Sequence, residues 1–200
     1  MNSILRQQKF SDLAQTQGGC LTSSDLLTAL AKDHHSSLQA SLAPYLKSGK
    51  LTRVKRGLYL WADAKAHDVM AHINPTATLS FGNVLAEHLL IGTIPSHHFR
   101  FTGDGKDQTI QTSSWKTSLH KLSPHLQFGW TADALGRRTA QPEKAVLDCL
   151  YYQQKGMSFS FDLETDIDRQ GIDRERFLEF ADRYPNPRFR SRCRRWLDAI

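Results

Sequence analysis

Apolar residues in the first third of the chain recur with the spacing of amphipathic helices. One run begins at Thr22 and Asp25, whose three-residue spacing is that of a capping box. A polar break follows, and a second run then places Leu38, Leu42 and Leu46 on one face. The pattern therefore predicts two consecutive helices that bury their leucines, preceded by a supporting helix near the N-terminus.

A short basic hairpin is predicted directly after the second helix. Gly49 follows the last apolar helical position, where a helix is expected to end. Residues 51–54 and 58–61 have strand character and flank a turn in which Gly57 can adopt a positive φ. Two helices and a hairpin in this order are the parts of a winged helix-turn-helix. In that arrangement the second helix enters the major groove and the hairpin lies along the phosphates.

Polar side chains remain on the outer faces of the second helix and the hairpin. Short donors and acceptors suit base edges, and lysine and arginine neutralise phosphates. The candidate DNA-binding residues are His34, His35, Ser36, Ser37, Gln39 and Ser41 on the helix, and Lys50, Arg53, Lys55 and Arg56 on the hairpin. The structural alternative is a small helical domain with a solvated basic hairpin.

From Thr76 onward the pattern indicates both helices and strands. Apolar residues at positions 79–90 predict one buried helix. Residues 98–102 and 108–112 read as strands on either side of a Gly-Asp-Gly turn signal, which predicts a hairpin, and residues 126–131 predict another strand. This part is therefore expected to be an antiparallel sheet flanked by helices.

Three helices are predicted towards the C-terminus. Pro142 begins the first, Asp173 caps the second, and Asn186 and Pro187 begin the third. The third combines an apolar stripe with a candidate second basic surface, which consists of Arg188, Arg190, Arg192, Arg194 and Arg195. A face of solvated charge is the simpler interpretation of these arginines.

The predicted fold class is α+β, with two domains. A winged helix-turn-helix DNA-binding domain is expected over residues 1–66, and a mixed α/β second domain with C-terminal helices over residues 67–200. The net charge of +6 is concentrated in the first domain, which contains nine Lys/Arg and four Asp/Glu. Residues 67–155 contain eight Lys/Arg and seven Asp/Glu, and residues 156–200 contain nine of each. The excess of basic residues therefore coincides with the predicted DNA-binding module.

The cysteines and the apolar runs of the sequence restrict the classes of protein to which the chain can belong. The three cysteines are scattered without a CxxC spacing, which indicates neither a zinc site nor a disulfide framework and is typical of a reducing cytoplasm. No run approaches the roughly 20 apolar residues that a membrane span requires, so we expect a cytoplasmic protein without a membrane partner. We expect no cofactor and no metal.

Four segments resemble the family of AbiEi-type antitoxins and transcriptional regulators. The first, SGKLTRVKRGLYLW, resembles the winged-helix domain of that family. The other three resemble its second domain and follow in the expected order: TLSFGNVLAEHLLIGTIPSHHFRFT, FGWTADALGRRTAQPEKAVLDCLYY and GIDRERFLEFADRYPNPRFRSRCRRWL. The resemblance implies an antitoxin of a type IV toxin–antitoxin system that represses its own promoter. It also implies a nucleotidyltransferase-like toxin as functional partner, whose neutralisation does not require a stable complex.

Other functional classes are not excluded by these patterns. A solitary winged-helix regulator would have the same first domain, and a pure interaction module would keep only the second. An enzyme of the nuclease or nucleotidyltransferase class would need metal-binding carboxylates, for which Asp104 with Asp107 and Asp166 with Asp168 are the available pairs. No Gly-Ser phosphate-holding turn precedes either pair, so we predict that the chain is not an enzyme.

Overall fold

The chain forms two compact units of mixed α+β structure. The computed structural model describes residues 3–30, 35–92 and 97–199. The units comprise Met1–Ile73 and Asn74–Ile200. Each has its own sheet.

The first unit combines four helices with a three-stranded sheet in the described part of the chain. Its elements are α1 (Ser3–Thr16), β1 (Cys20–Thr22), α2 (Ser23–Leu30), α3 (His35–Lys47), β2 (Leu51–Lys55), β3 (Leu58–Trp61) and α4 (Ala66–Ile73). The strand order is β1-β3-β2, with both pairings antiparallel. Strand β1 was not predicted, because three residues are too few for a periodic signal. Helix α4 contacts β1, which makes it part of this unit.

Local sequence determines where α2 begins. The Thr22 amide donates to Asp25 Oδ2 at 2.9 Å, and the Asp25 amide donates to Thr22 Oγ1 at 3.2 Å. These reciprocal bonds confirm the predicted capping box. Burial alone would raise the pKa of the Asp25 carboxyl, but the hydrogen bonds from Thr22 outweigh it and hold that pKa below its usual value.

The core of the first unit contains the apolar face of α3. Leu38, Leu42 and Tyr45 are buried there, and the Phe10 and Tyr45 rings meet edge to face with centroids 5.3 Å apart. The prediction that Leu46 faces the core is wrong, since its side chain is 37% exposed. At 3.6 residues per turn, position 45 follows 38 and 42 on the same stripe, whereas position 46 turns outward.

The second unit contains a six-stranded sheet and four helices in its described residues. Its elements are β4 (Thr78–Leu79), α5 (Gly82–Glu87), β5 (His98–Gly103), β6 (Gln108–Gln111), β7 (Lys116–Lys121), β8 (Trp130–Ala132), β9 (Arg138–Ala140), α6 (Pro142–Gln153), α7 (Arg174–Asp182) and α8 (Pro187–Asp198). The strand order is β6-β7-β5-β4-β9-β8. The β5–β7 and β4–β9 pairs are parallel, so the expectation of an antiparallel sheet is wrong.

The predicted hairpin between β5 and β6 is also wrong. Strand β6 pairs with β7, and β5 pairs with β7 in parallel on its other side. The loop after β5 is held by Asp104, whose amide donates to Thr76 Oγ1 at 3.0 Å. Alternation identified both strands, but it carries no information on which strand each one pairs with.

The predicted buried helix over residues 79–90 is replaced by a strand, a sharp turn and a short helix. Phe81 forms the turn between β4 and α5 with φ 60° and ψ −147°, a combination that non-glycine residues rarely adopt. Its ring is fully buried, with its centroid 5.6 Å from that of His120 and 5.3 Å from that of Tyr152. These ring contacts offset the strained backbone.

Helix α6 lies in the core of the second unit and begins at Pro142, as predicted. Lys144 and Asp148, one helical turn apart, form an ion pair in which the side chains are 2% and 0% exposed. Ser80 Oγ donates to Asp148 Oδ2 at 2.7 Å, and Lys144 Nζ donates to the Tyr184 hydroxyl at 3.2 Å. The pair is therefore enclosed by polar partners from two other parts of the unit.

The N-termini of the last two helices are as predicted. The Asp173 side chain accepts from the Arg176 amide at 3.0 Å, and Asn186 Oδ1 accepts from the Arg188 amide at 2.9 Å. Both are N-cap bonds that satisfy amides without an intrahelical partner.

Candidate functional site

A concave surface of about 260 Å³ lies between α3 and the basic hairpin, which we define as β2, β3 and the turn that joins them. Gln39 of α3, Arg53 and Arg56 of the hairpin, and Ser23 at the start of α2 line it. The surface therefore brings together one amide side chain and two guanidinium groups, all of which are hydrogen-bond donors.

The basic hairpin is fixed to the elements around it at both ends. The Ser23 amide donates to the Gly57 carbonyl at 2.9 Å, and the Trp61 amide donates to the Gly19 carbonyl at 2.9 Å. Gly57 has φ +82°, which confirms the predicted positive-φ glycine at the turn. An irregularity in register between Arg53 and Lys55 interrupts the pairing of β2 with β3.

The four cations predicted at the hairpin are all exposed: Arg53, Lys55 and Arg56 within it, and Lys50 directly before β2. Lys50 Nζ donates to Gln7 Oε1 at 2.9 Å. Arg53, Lys55 and Arg56 have no carboxylate within ion-pair distance in the described part of the chain. Their charges are therefore available to an external anion.

The candidate DNA-binding residues predicted on the second helix, α3, differ in their exposure to solvent. Gln39 is exposed, as expected. Ser41 is only 7% exposed, so the prediction that it faces outward is wrong, because it lies on the α3 stripe that is buried with Leu38 and Leu42. His34 lies outside the described residues. Helix α3 begins at His35, but the side chains of residues 35–37, which include Ser36 and Ser37, are not among those described.

Most of the arginines of α8 are bound within the second unit. Arg190 Nη1 donates to the Tyr184 carbonyl at 3.0 Å, Arg192 Nη1 donates to the Leu150 carbonyl at 3.3 Å, and Arg194 pairs with Asp182. Arg188 and Arg195 are exposed and have no side-chain partner in the described residues. The candidate second basic surface therefore reduces to these two arginines.

The carboxylate pairs considered for an enzyme have structural roles. Asp107 Oδ1 accepts from the Lys121 amide at 2.6 Å, and Asp168 Oδ1 accepts from the Gln170 amide at 3.0 Å. Asp166 Oδ2 accepts from the Asp162 amide at 2.8 Å. Across residues 3–30, 35–92 and 97–199, no group of three His, Cys, Asp or Glu could hold a metal ion.

Two of the buried thiols are protonated at neutral pH. Burial raises the pKa of Cys20 and of Cys193 to about 12. A thiolate is the nucleophilic form of cysteine, so neither thiol is activated.

Sequence reasoning missed three residues at this site. Ser23 and Tyr59 line the concave surface, and Gln7 binds Lys50. The contact of Gln7 joins residues 43 positions apart, and no periodic pattern indicates such a pairing.

Fold and surface together define a two-unit α+β protein with an exposed basic hairpin on its first unit. Its fold is similar to that in the crystal structure of the RV2827C protein from Mycobacterium tuberculosis, with a TM-score of 0.61 and 14% sequence identity. The match covers 100% of this chain and 78% of that chain. No protein-family model matches the sequence, and neither does any curated protein. Among the described helices, none has the length and apolar character needed to cross a membrane.

Proposed function

We propose that the chain is a DNA-binding antitoxin that represses its own promoter and counteracts a nucleotidyltransferase-like toxin. The first unit acts as a winged helix-turn-helix, with α3 as the recognition helix and the basic hairpin as the wing. The second unit carries the antitoxin activity. The protein acts in the cytoplasm on double-stranded promoter DNA.

The order of elements supports the DNA-binding half of this proposal. Helices α1, α2 and α3 precede β2 and β3, and β1 joins these strands in a sheet of order β1-β3-β2. This order of elements is consistent with a winged helix-turn-helix. The observation that carries the proposal is the concave surface in which Gln39 of α3 lies with Arg53 and Arg56. An amide suits an adenine edge, and the arginines suit the flanking phosphates.

The antitoxin half is supported by the resemblance of the four segments described above. They begin at Ser48 and end at Leu197, so they extend over both units. A neighbouring toxin gene provides the test, in which cells that express the toxin are rescued by co-expression of this chain. Rescue that persists without detectable binding of the two proteins agrees with a neutralisation that needs no stable complex. Absence of rescue leaves a solitary regulator as the function.

The basic hairpin is tested by the salt dependence of DNA binding. Each phosphate contact that is lost lowers the slope of log K against log salt by about 0.9. We expect Lys55→Ala with Arg56→Ala to reduce the slope by about 1.8 in fluorescence-anisotropy titrations of duplex DNA at several salt concentrations. Lys65→Ala is the matched control, because Lys65 is an exposed lysine outside α3 and the hairpin. An unchanged slope in the double variant contradicts the wing assignment.

The same titrations decide whether the Arg188 and Arg195 side chains form a second DNA contact. Replacement of both by Gln keeps most of each stem and removes the charge. A slope that also falls by about 1.8 would add α8 to the interface, and an unchanged slope leaves the two arginines as solvated surface.

Base readout is tested separately at Gln39. A good bidentate contact of glutamine with adenine contributes roughly 1–3 kcal/mol of discrimination. Gln39→Ala should therefore weaken binding to the native promoter by about 5- to 150-fold, with little effect on random duplex DNA. Equal weakening on both DNAs would show that Gln39 positions the protein and does not read a base.

A further inference from the structure

A second concave surface, in the second unit, is not used by the proposed function. It has a volume of about 200 Å³ and is lined by Asn83 after the start of α5, His98 and Arg100 of β5, and Phe159 and Ser160 of the segment that follows α6. We call it the Arg100 pocket. It combines hydrogen-bond donors with an aromatic ring, which is the usual composition of a small-molecule site.

One wall of the Arg100 pocket is fixed by backbone hydrogen bonds. Asn83 Nδ2 donates to the His98 carbonyl at 3.0 Å, and Asn83 Oδ1 accepts from the Arg100 amide at 3.0 Å. The Ser80 amide donates to the Arg100 carbonyl at 3.0 Å. These bonds join β5 to α5 and to the turn that precedes α5, so the position of Arg100 is determined before any ligand is bound.

Arg100 has a half-buried guanidinium group without a counter-charge. Its Nη1 donates to the Ser158 carbonyl at 3.3 Å, and the group lies 5.4 Å from the centroid of the Phe159 ring. No carboxylate lies within ion-pair distance of it in the described residues. Guanidinium groups removed from water are normally paired, and this one has five N–H donors of which few are used. Desolvation lowers the pKa of Arg100 from its usual value, which is the expected sign for a charge without an anion.

Other arginines of the second unit provide a contrast. Carboxylates of the same unit lie within ion-pair distance of Arg169, Arg174, Arg176 and Arg194. Arg100 lacks such a carboxylate, as do Arg188, Arg190, Arg192 and Arg195 of α8 in the described residues. What sets Arg100 apart from these α8 arginines is that it lines a concave surface of the unit.

The groups around His98 are also cationic. Burial, together with the positive charges of Arg100, Lys116 and His120, lowers the pKa of His98 to about 4. The His98 ring is therefore neutral at pH 7, and its Nε2 lies 3.0 Å from Ser118 Oγ. An anion bound near this ring would reverse the sign of the local field and favour the charged imidazolium.

We propose that the Arg100 pocket binds the phosphate group of a small phosphorylated molecule, of which a nucleoside monophosphate is the simplest representative. Arg100 binds the phosphate through its guanidinium fork, and the Ser160 hydroxyl donates a further hydrogen bond. A dianion suits this environment better than a single carboxylate, because both nearby side chains with a full charge are positive. The Phe159 and Phe161 rings contact the apolar or planar part of the molecule. This proposal does not depend on DNA binding by the first unit.

The test is isothermal titration calorimetry of the full chain in a phosphate-free buffer. The probes are inorganic phosphate and adenosine monophosphate, with adenosine and citrate as comparisons. We expect both phosphates to bind and adenosine not to bind. Arg100→Gln should weaken the binding of adenosine monophosphate about tenfold or more, since a hydrogen bond to a charged group is lost. Arg138→Gln is the matched control, because the Arg138 guanidinium is also half-buried and lies 4.1 Å from the centroid of the Trp130 ring.

A second measurement needs no variant. If phosphate binds in the Arg100 pocket, the pKa of His98 must rise from about 4, and this is measured by NMR titration of its ring with and without adenosine monophosphate. Failure of the wild-type chain to bind either phosphate overturns the proposal, as does unchanged affinity in Arg100→Gln. Citrate binding as tight as that of the phosphates overturns the choice of ligand class. A short single-stranded oligonucleotide is titrated in the same way, and binding restricted to it would overturn the small-molecule assignment.

Discussion

Replacement of Asp148 by asparagine removes the negative member of the buried ion pair in α6. The side chain of Lys144 is 2% exposed, and burial lowers the pKa of its ammonium group while the charge of Asp148 raises it. With Asp148→Asn, the opposing charge is lost and the hydrogen bond from Ser80 Oγ goes to a neutral acceptor. Lys144 must then either remain as an unpaired buried cation or release its proton in the folded state.

The cost of releasing the proton sets the magnitude of this effect. The ordinary pKa of lysine is 10.5, so deprotonation at pH 7 costs at most about 5 kcal/mol. This limit agrees with the roughly 3–5 kcal/mol that is typical when one partner of a buried ion pair is removed. At pH 9.5 the same limit is only about 1.4 kcal/mol. The unfolded chain then binds more protons than the folded one between these pH values, so the stability of the variant must rise with pH.

Denaturant unfolding of Asp148→Asn at pH 7 and pH 9.5, followed by circular dichroism and tryptophan fluorescence, measures both quantities. Asp182→Asn is the control, because Asp182 and Arg194 form an ion pair with side chains 54% and 49% exposed. Such an exposed pair contributes about 0–1 kcal/mol. A loss below about 1 kcal/mol in Asp148→Asn at pH 7, or a loss that does not change with pH, would refute the reasoning.

Two further predictions concern the backbone and the histidines. A Cβ at Gly19, which has φ +84°, would lie 2.3 Å from the Cβ of Ala64, whereas a Cβ at Gly49, with φ +71°, would meet no atom within 4 Å. Gly49→Ala should destabilise the chain by roughly 1–2 kcal/mol, and Gly19→Ala by several kcal/mol more. Equal losses of stability in thermal melts of the two variants would contradict the close approach of Gly19 to Ala64. Burial lowers the pKa of His120 as well as that of His98, so the unfolded chain takes up protons first as the pH falls. The stability of the folded chain should accordingly decrease from about pH 6.5 towards pH 4, which is measured as a fall in melting temperature. A wild-type melting temperature that stays constant over this range would contradict the lowered histidine pKa values. A fall that is as steep in His98→Gln would contradict the contribution of His98.

Features that depend on neighbouring residues could be predicted from the sequence. The Thr22–Asp25 capping box, the positive φ of Gly57 and the start of α6 at Pro142 are each determined within about four residues. The same holds for the exposed cations of the basic hairpin, because a short hairpin leaves its turn in solvent.

Features that depend on distant partners could not be predicted. Strand β4 has two residues and becomes a strand only through its pairing with β5 and β9. Lys144 and Asp148 have the spacing of an ordinary surface ion pair on a helix, so the sequence does not indicate that they are buried. Their polar partners are distant in the sequence: Ser80 is 68 positions from Asp148, and Tyr184 is 40 positions from Lys144. The Arg100 pocket likewise needs β5, α5 and the segment after α6 to meet, and no local pattern specifies that meeting.

The hydrogen bond from the Ser23 amide to the Gly57 carbonyl has a consequence for motion in the first unit. The turn of the basic hairpin cannot swing away from the first residue of α2 without breaking this bond. Any partner that binds the turn therefore meets a surface that is already ordered, and little conformational entropy is lost when the two associate. The Ser23 amide should exchange its hydrogen with solvent only when the turn separates from α2, so its exchange rate reports how often the hairpin opens.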